Sequence, residues 1–246
     1  MKNWHTEKFV VDDTNIACEE FMSIAEILKF FQKATFNHSR EMGLDHQSMI
    51  EKSNAFWVVT KMKLILNKPI IVGEKISVTT WTHELGGVRA LRDSVFKNGN
   101  SIKVKATSEW CCLDFETRKL RKMNSIHYPK LEMEKVNNLN LEFTNKKEQV
   151  EEKDLSYSRI VRSTDIDINN HTNNLKYSFM ALDVFTVEEL KSIDIKDYEI
   201  YFVNESYEKD KIDVFKKKIR NYYYVEGRIQ DKTIFRVVIK FKKKER

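Results

Sequence analysis

Ser23-Ile24-Ala25-Glu26-Ile27-Leu28-Lys29-Phe30-Phe31-Gln32-Lys33-Ala34-Thr35 heads the run from Ser23 to Met42, and the fold is read outward from it. Ile24, Ile27, Leu28, Phe31, Ala34 and Thr35 recur at a spacing of about 3.6, the signature of a helix that buries one stripe. Ser23 stands as N-cap with Glu26 three residues on, and Gly43 ends the run.

Extended stretches follow at Phe56 to Leu66, Lys75 to His83, Val88 to Lys97 and Ser101 to Phe115. Turn signals at Pro69, Gly73, Gly86-Gly87 and Asn98-Gly99 separate them, so they read as antiparallel strands, with Asn98-Gly99 as a tight hairpin. From about Ser125 to Asp154 the chain is charged, rich in Asn and poor in aromatics, the composition of a connection. The order then recurs: a polar lead-in, a helix over Asn174 to Phe185, and strands at Tyr198 to Glu205, Ile212 to Arg220, Tyr222 to Ile229 and Thr233 to Phe241. Thr186 and Glu189 stand in capping-box register for a short helix ahead of the second sheet. Phe235, Val237, Ile239 and Phe241 alternate with Arg236 and Lys240, which predicts a last strand buried on one face. Leu175-Lys176-Tyr177 echoes Leu28-Lys29-Phe30.

A long helix followed by antiparallel strands must bury its stripe on one face of the sheet, and two such units can join their sheet edges. The expected class is therefore α+β, a tandem (double) hot-dog in which each half is a long helix packed on a curled antiparallel sheet. The halves are 1–125 and 155–246, with a linker at 126–154.

Lys and Arg exceed Asp and Glu by 43 to 37, an excess too small and too dispersed for a nucleic-acid stripe; no reading motif accompanies it. Lys216-Lys217-Lys218 and Lys242-Lys243-Lys244 read as solvated strand ends, with docking of an acidic carrier protein as the alternative. Cys18 and the adjacent Cys111-Cys112 lack disulfide-framework spacing, and the six histidines form no zinc-ligand spacing with them. No metal and no cofactor are expected. The first residues lack the apolar run of a signal peptide, and no segment has the apolar length of a membrane span, so a cytoplasmic protein is expected.

The densest polar stretch, Ser163-Thr164-Asp165-Ile166-Asp167-Ile168-Asn169-Asn170-His171-Thr172-Asn173-Asn174, opens the second helix. Asp167, Asn169 and His171 are spaced by two, so an extended lead-in would send a carboxylate, an amide and an imidazole out of one face while Ile166 and Ile168 point into the core. That set supplies acid/base groups and an orienting donor beside outward N–H groups. The plainer alternative is an Asn/Asp-rich turn capping a helix. Asp165 reads as a structural turn residue, and Asn173 or Asn174 as the N-cap.

Ser163 to Tyr177, with its Asp-x-Asn-x-His core, resembles the signature of the acyl-acyl-carrier-protein (acyl-ACP) thioesterases. The resemblance extends to Trp81, Arg92-Asp93, Ala106-Thr107-Ser108-Glu109-Trp110 and Asp114, and so covers nearly the whole chain. It aligns Glu205, 34 residues beyond His171, with the family's glutamate. Ser206 stands where many members carry cysteine, which leaves no cysteine nucleophile there and makes water the expected one. The segment before the first helix, Glu19-Glu20-Phe21-Met22-Ser23, has no such motif, so the first half is expected to shape the acyl pocket.

The resemblance implies hydrolysis of fatty acyl-ACP to free fatty acid and carrier protein. Glu205 and Asp167 would position and activate water, His171 would transfer protons, and Asn169 would fix the network or the carbonyl. Ser206, Asn173 and Asn174 are supporting residues, and which carboxylate takes the proton stays open. Acyl carrier protein is the expected partner, and the chain is expected to be a monomer or homodimer. The alternatives are an acyl-coenzyme A thioesterase, a hydratase or dehydratase on the same fold, and a non-catalytic acyl-binding module. Trp57, Trp81, Trp110 and Tyr222-Tyr223-Tyr224 are candidates for lining a tunnel, with plain core as the alternative.

Overall fold

The computed structural model describes residues 2–18, 20–83, 85–131 and 138–244. Glu19 and residues 132–137 of the expected linker lie outside them. The elements run β1 (Trp4–Val10), α1 (Ile24–Glu41), α2 (His46–Ser53), β2 (Ala55–Leu66), β3 (Lys75–Thr82), β4 (Arg89–Asn98), β5 (Ser101–Asp114) and β6 (Leu120–Arg121). The second half follows with β7 (Leu155–Ile160), α3 (Asn174–Leu182), α4 (Val187–Ser192), β8 (Ile193–Phe202), β9 (Lys211–Ile219), β10 (Tyr222–Ile229) and β11 (Lys232–Lys243).

Eleven strands form one antiparallel sheet in the order β1-β3-β4-β5-β2-β8-β11-β10-β9-β7, with β6 paired to β5. Counted within each half, the order is first-third-fourth-fifth-second, then its mirror image. The duplication is thus written into the strand order, and the halves join where β2 pairs with β8, Met62 opposite Ile200 and Leu64 opposite Tyr198. The edges that would invite another chain are satisfied internally at this seam.

Ser23 caps α1 by accepting from Glu26 N, and Ile27, Leu28, Phe31 and Ala34 are fully buried in a core shared by both halves. The helix of the second half is shorter than expected. The sequence predicts it to Phe185, but α3 spans nine residues to Leu182, because the Thr186–Glu189 capping box starts α4 and the chain must turn before it. α1 packs against β1 and β3, α3 against β10, and the two helices touch.

On the other face of the sheet, residues 142–150 lie across the seam. Lys63 Nζ reaches Glu199 Oε1 at 2.7 Å and Asp197 at 3.2 Å, and Glu199 also accepts from Thr144 N, Thr144 Oγ1 and Tyr201 Oη. Val150 covers Val238 and Tyr224, so β11 is buried on both faces there, where the alternation predicted one.

Candidate functional site

The segment before α3 is a closed loop rather than an extended lead-in. Ile166 bridges to Thr172, Asp167 N donates to His171 O at 3.0 Å, and Asn170 N donates to Asp167 O. Asn170 holds φ +63°, a left-handed conformation that Asn tolerates and that reverses the chain. Alternation therefore fails inside the loop. Ile166 packs on the core as expected, but Ile168 is 81% exposed, contrary to the inward orientation read from the spacing.

The loop still gathers the polar groups. Asp167 Oδ1 accepts from Asn169 N at 2.8 Å and lies 3.8 Å from His171 Nδ1. On the other side, His171 Nε2 lies 3.4 Å from Glu205 Oε1. Both separations exceed a formed hydrogen bond, and among the described residues Nε2 is buried without a hydrogen-bond partner. Asn169 is exposed at the loop tip.

Asp165 is structural. Its side chain is fully buried and accepts from Arg162 N and Arg159, with Lys176 at 3.4 Å. Burial opposes its charge, but those donors outweigh it and hold the carboxyl below its ordinary value. Asn173 is the N-cap of α3, accepting from Leu175 N, and Asn174 is the first helical residue.

Glu205 comes not at the end of a strand but three residues past β8, and Ser206 fixes it there. Ser206 is fully buried; its Oγ lies 2.7 Å from Thr172 Oγ1 and 2.9 Å from Tyr177 Oη. Its carbonyl accepts from Thr172 N and Thr172 Oγ1, and its N–H donates to Tyr177 Oη. This pin locks the Glu205 segment to the loop and to α3.

One residue escaped the sequence reading. Arg118, at φ +58° in the turn after β5, donates from Nη2 to Glu205 Oε1 at 2.6 Å and sits over the Phe56 ring. Nothing local marks it, because its partner is 87 residues away.

Two cavities meet here. One, of about 520 Å³, runs between α1 and α3 and is lined by His171, Glu205, Tyr207 and Lys232. The other, about 680 Å³, lies in the first half between α1 and the sheet. Gln32, Trp57, Trp110, Asp167 and Asn169 line both. Of the aromatic candidates, Trp57 and Trp110 thus face the cavities, whereas Trp81 and Tyr222 to Tyr224 are buried in the sheet. The β9 lysines are engaged: Lys216 with Glu189, Lys217 with Gln149 O, and Lys218 over Tyr223 and Phe241.

The first half carries the same loop 150 residues earlier. Ile16 bridges to Met22, Ala17 N donates to Phe21 O, Glu20 N donates to Ala17 O, and Glu20 holds φ +71°. Met22 N donates to Ile70 O, as Thr172 N does to Ser206 O. The backbone of the site is therefore doubled, but Ala17 stands for Asp167, Phe21 for His171, Pro69 for Glu205 and Ile70 for Ser206.

The family model for the acyl-ACP thioesterase N-terminal domain matches residues 2–127, and that for the C-terminal domain matches residues 144–244. Among curated relatives, the chloroplastic acyl-[acyl-carrier-protein] hydrolase FATB3 of Cuphea viscosissima is 27% identical over 208 residues, covering 77% of this chain and 50% of that protein. The chloroplastic oleoyl-acyl carrier protein thioesterase 1 of Arabidopsis thaliana is 24% identical over 85% of this chain and 62% of its own length. The chain thus spans about half to three-fifths of these relatives. An acyl-ACP thioesterase from Bacteroides thetaiotaomicron superposes with TM-score 0.81 at 21% identity over 98% of both chains. The 12:0-ACP thioesterase from Umbellularia californica gives TM-score 0.85 at 16% identity over 99% of both. These two likenesses show a shared fold. No described helix is long and apolar enough to cross a membrane.

Proposed function

Because the chain belongs to the acyl-ACP thioesterase family, we propose that it hydrolyses fatty acyl-ACP thioesters to free fatty acid and carrier protein, using water activated at Asp167, His171 and Glu205. The observation that carries this reading is His171 set between two carboxylates where two cavities meet. One carboxylate accepts a proton as water attacks the carbonyl carbon. The oxygen, now anionic, is stabilised by Asn169 and by the Asn174 N–H, the one at the start of α3 that neither Asp165 nor Asn173 engages. Collapse breaks the carbon–sulfur bond, and the proton taken from water passes from the carboxylate through His171 to the departing thiolate. Ser206 acts as the pin of the Glu205 segment and not as a nucleophile.

In this reading, residues 1–125 shape the acyl pocket, 126–154 connect, and 155–246 carry the chemistry. The first-half cavity takes the acyl chain, and the cavity lined by Tyr207 and Lys232 takes the arm that links it to the carrier. The β2–β8 seam supplies within one chain the pairing that a dimer would supply, which favours a monomer, with a homodimer as the alternative. The cysteine pattern goes with a reducing cytoplasm.

The test is release of free thiol from acyl-ACP and acyl-coenzyme A substrates by wild type, His171→Ala, Asp167→Asn and Glu205→Gln. Turnover by wild type, lost in the variants and faster on acyl-ACP, is expected. A folded wild type that turns over no thioester would overturn the proposal; faster turnover of coenzyme A esters would replace the carrier.

A further inference from the structure

The first-half loop that answers to the catalytic one fronts a cavity of its own, of about 360 Å³, within the roughly 300–1,000 Å³ of small-molecule sites. It is the two-fold mate of the cavity at His171. The seam pairs Met62 with Ile200 and Leu64 with Tyr198, so by the same two-fold Leu66 answers to Phe202 and Ile193 to Trp57. Met22 likewise stands for Thr172, and Ala25 for Leu175. Each of these residues lines the cavity of its own side.

The space is conserved between the two sides while its chemistry is not. Phe21 takes the place of His171, and the start of α1, the end of α3 and the first residues of β8 supply walls that are apolar but for Cys18, Ser23 and Asp183. The Ser23 hydroxyl already caps α1 on Glu26 N. Burial raises the Asp183 carboxyl above its ordinary value, against the pull of Arg159. Apolar walls with no atoms facing them forgo dispersion contacts that an alkyl chain restores.

A cation stands beside one wall. Lys244, just past β11, is tied by its N–H to Ser192 O and holds its ammonium 5.2 Å from the centroid of the Phe21 ring. The residue is exposed, and among the described residues no carboxylate pairs with it. Lys242 and Lys243, also exposed, precede it, and Asp194, the residue paired with Lys242 across the sheet, is already engaged by Lys196. The local field is therefore positive.

We propose that this cavity is a second ligand site, separate from the catalytic one, which binds a free fatty acid. The alkyl chain fills the apolar space between α1, α3 and β8, and the carboxylate meets the Lys244 ammonium beside Phe21. Apolar walls and a cation at the rim complement an alkyl chain with an anionic head; an alkylamine would be repelled by Lys244 and would have only Asp183 to pair with. The choice of a fatty acid rests on the acyl-ACP hydrolase reading, in which the protein releases one. The cavity, its two-fold relation to the catalytic cavity and its lysine stand without that reading.

The experiment is titration calorimetry of dodecanoate into the whole chain, which needs no turnover. Wild type is expected to bind dodecanoate at a saturable site that Ala25→Phe, filling the space at the start of α1, abolishes. Lys244→Glu, at an exposed position, should weaken that site by about three- to tenfold, an effect that shrinks as salt rises, and Asp183→Asn should tighten it. If Ala25→Phe does not fold, Lys244→Glu and its salt dependence decide. No binding by wild type, binding unmoved in both folded variants, or dodecylamine bound at this site more tightly than dodecanoate would overturn the proposal. A chain that binds dodecanoate in this way but hydrolyses no thioester would sink the hydrolase reading and leave the site standing; hydrolysis without such binding would do the reverse.

Discussion

Replacing Ser206 with alanine separates a positioning role from a nucleophilic one. The substitution deletes the contacts at 2.7 Å to Thr172 Oγ1 and at 2.9 Å to Tyr177 Oη, both buried. Thr172 keeps its bond to the Ser206 carbonyl at 3.0 Å, and Tyr177 still accepts from Ser206 N at 3.2 Å. What is lost is an acceptor for the Tyr177 proton, and one buried donor left unmade costs about 1–3 kcal/mol. The backbone bonds that hold the segment survive, so Glu205 should shift by well under 1 Å and activity should fall by less than about 100-fold. Ser206→Cys retains a weak donor and acceptor and should lie between wild type and alanine in both stability and rate. Urea unfolding gives the stability and thiol release gives the rate. A fall in kcat of more than about 10⁴-fold in a Ser206→Ala protein that unfolds as predicted would refute the pin and make the hydroxyl a reacting group.

Arg118→Gln removes the 2.6 Å bond to Glu205 across the two halves; because the pair is partly exposed, stability should change by less than about 1 kcal/mol, whereas kcat should fall with little change in KM, and an unchanged kcat would sink the positioning role. Lys63→Met strands the buried Glu199 carboxylate and should cost about 3–5 kcal/mol in chemical denaturation, much of it recovered in Lys63→Met/Glu199→Gln; equal stability of the single and double variants would contradict this. Although burial opposes its charge, Lys63, Tyr201 and Thr144 hold Glu199 below its ordinary value of 4.5. Its contribution is therefore fully present above that pH and is lost as pH falls through the lower folded value, so Glu199→Gln should flatten the acid limb of a stability-versus-pH curve. Asn170→Gly should preserve the loop, whereas Asn170→Ala, forced to φ +63°, should lose about 1 kcal/mol in thermal unfolding; equal melting would show that the loop does not hold that conformation.

What could be read in advance depended on whether the signal was local. α1 was legible because its stripe and its cap lie within one segment, and so was the β4–β5 hairpin from its local turn chemistry, although Asn98 pairs with Ser101 and the turn residues are Gly99 and Asn100, one position beyond the expected Asn98-Gly99. β1 and β7, the two ends of the sheet, alternate weakly and were passed over; α2 was missed because it buries only Met49. Within the site, Asp167, His171 and Glu205 do meet, but not by the extended geometry assumed for them. The loop is closed by its own backbone hydrogen bonds, which is why Ile168 faces outward. Arg118 and the Ser206 pin depend on partners far away in the chain, and spacing carries no trace of such contacts.

The doubled backbone accounts for how, in the proposed function, one half is free to serve as a pocket. Mirror-image strand order about the β2–β8 seam places two equivalent loops, each held by an N–H to a carbonyl just beyond the seam strand of its own half, Ile70 after β2 and Ser206 after β8. In the first half the positions of carboxylate, imidazole and carboxylate are filled by Ala17, Phe21 and Pro69, and the adjoining space of about 360 Å³ is lined mainly by apolar side chains such as Phe21, Leu66 and Phe185. Asp183 also lines it, but the positions that answer to Asp167, His171 and Glu205 carry no acid or base, so the first half lacks the set gathered in the second. α1 can then extend to 18 residues while α3 stops at nine, and the added turns carry Thr35, Phe36, Ser39 and the His38–Arg92 pair along the larger cavity. The asymmetry between the halves thus has a physical consequence for the proposed function: the candidate catalytic groups sit on the half with the short helix, and the longer helix of the other half walls the larger cavity.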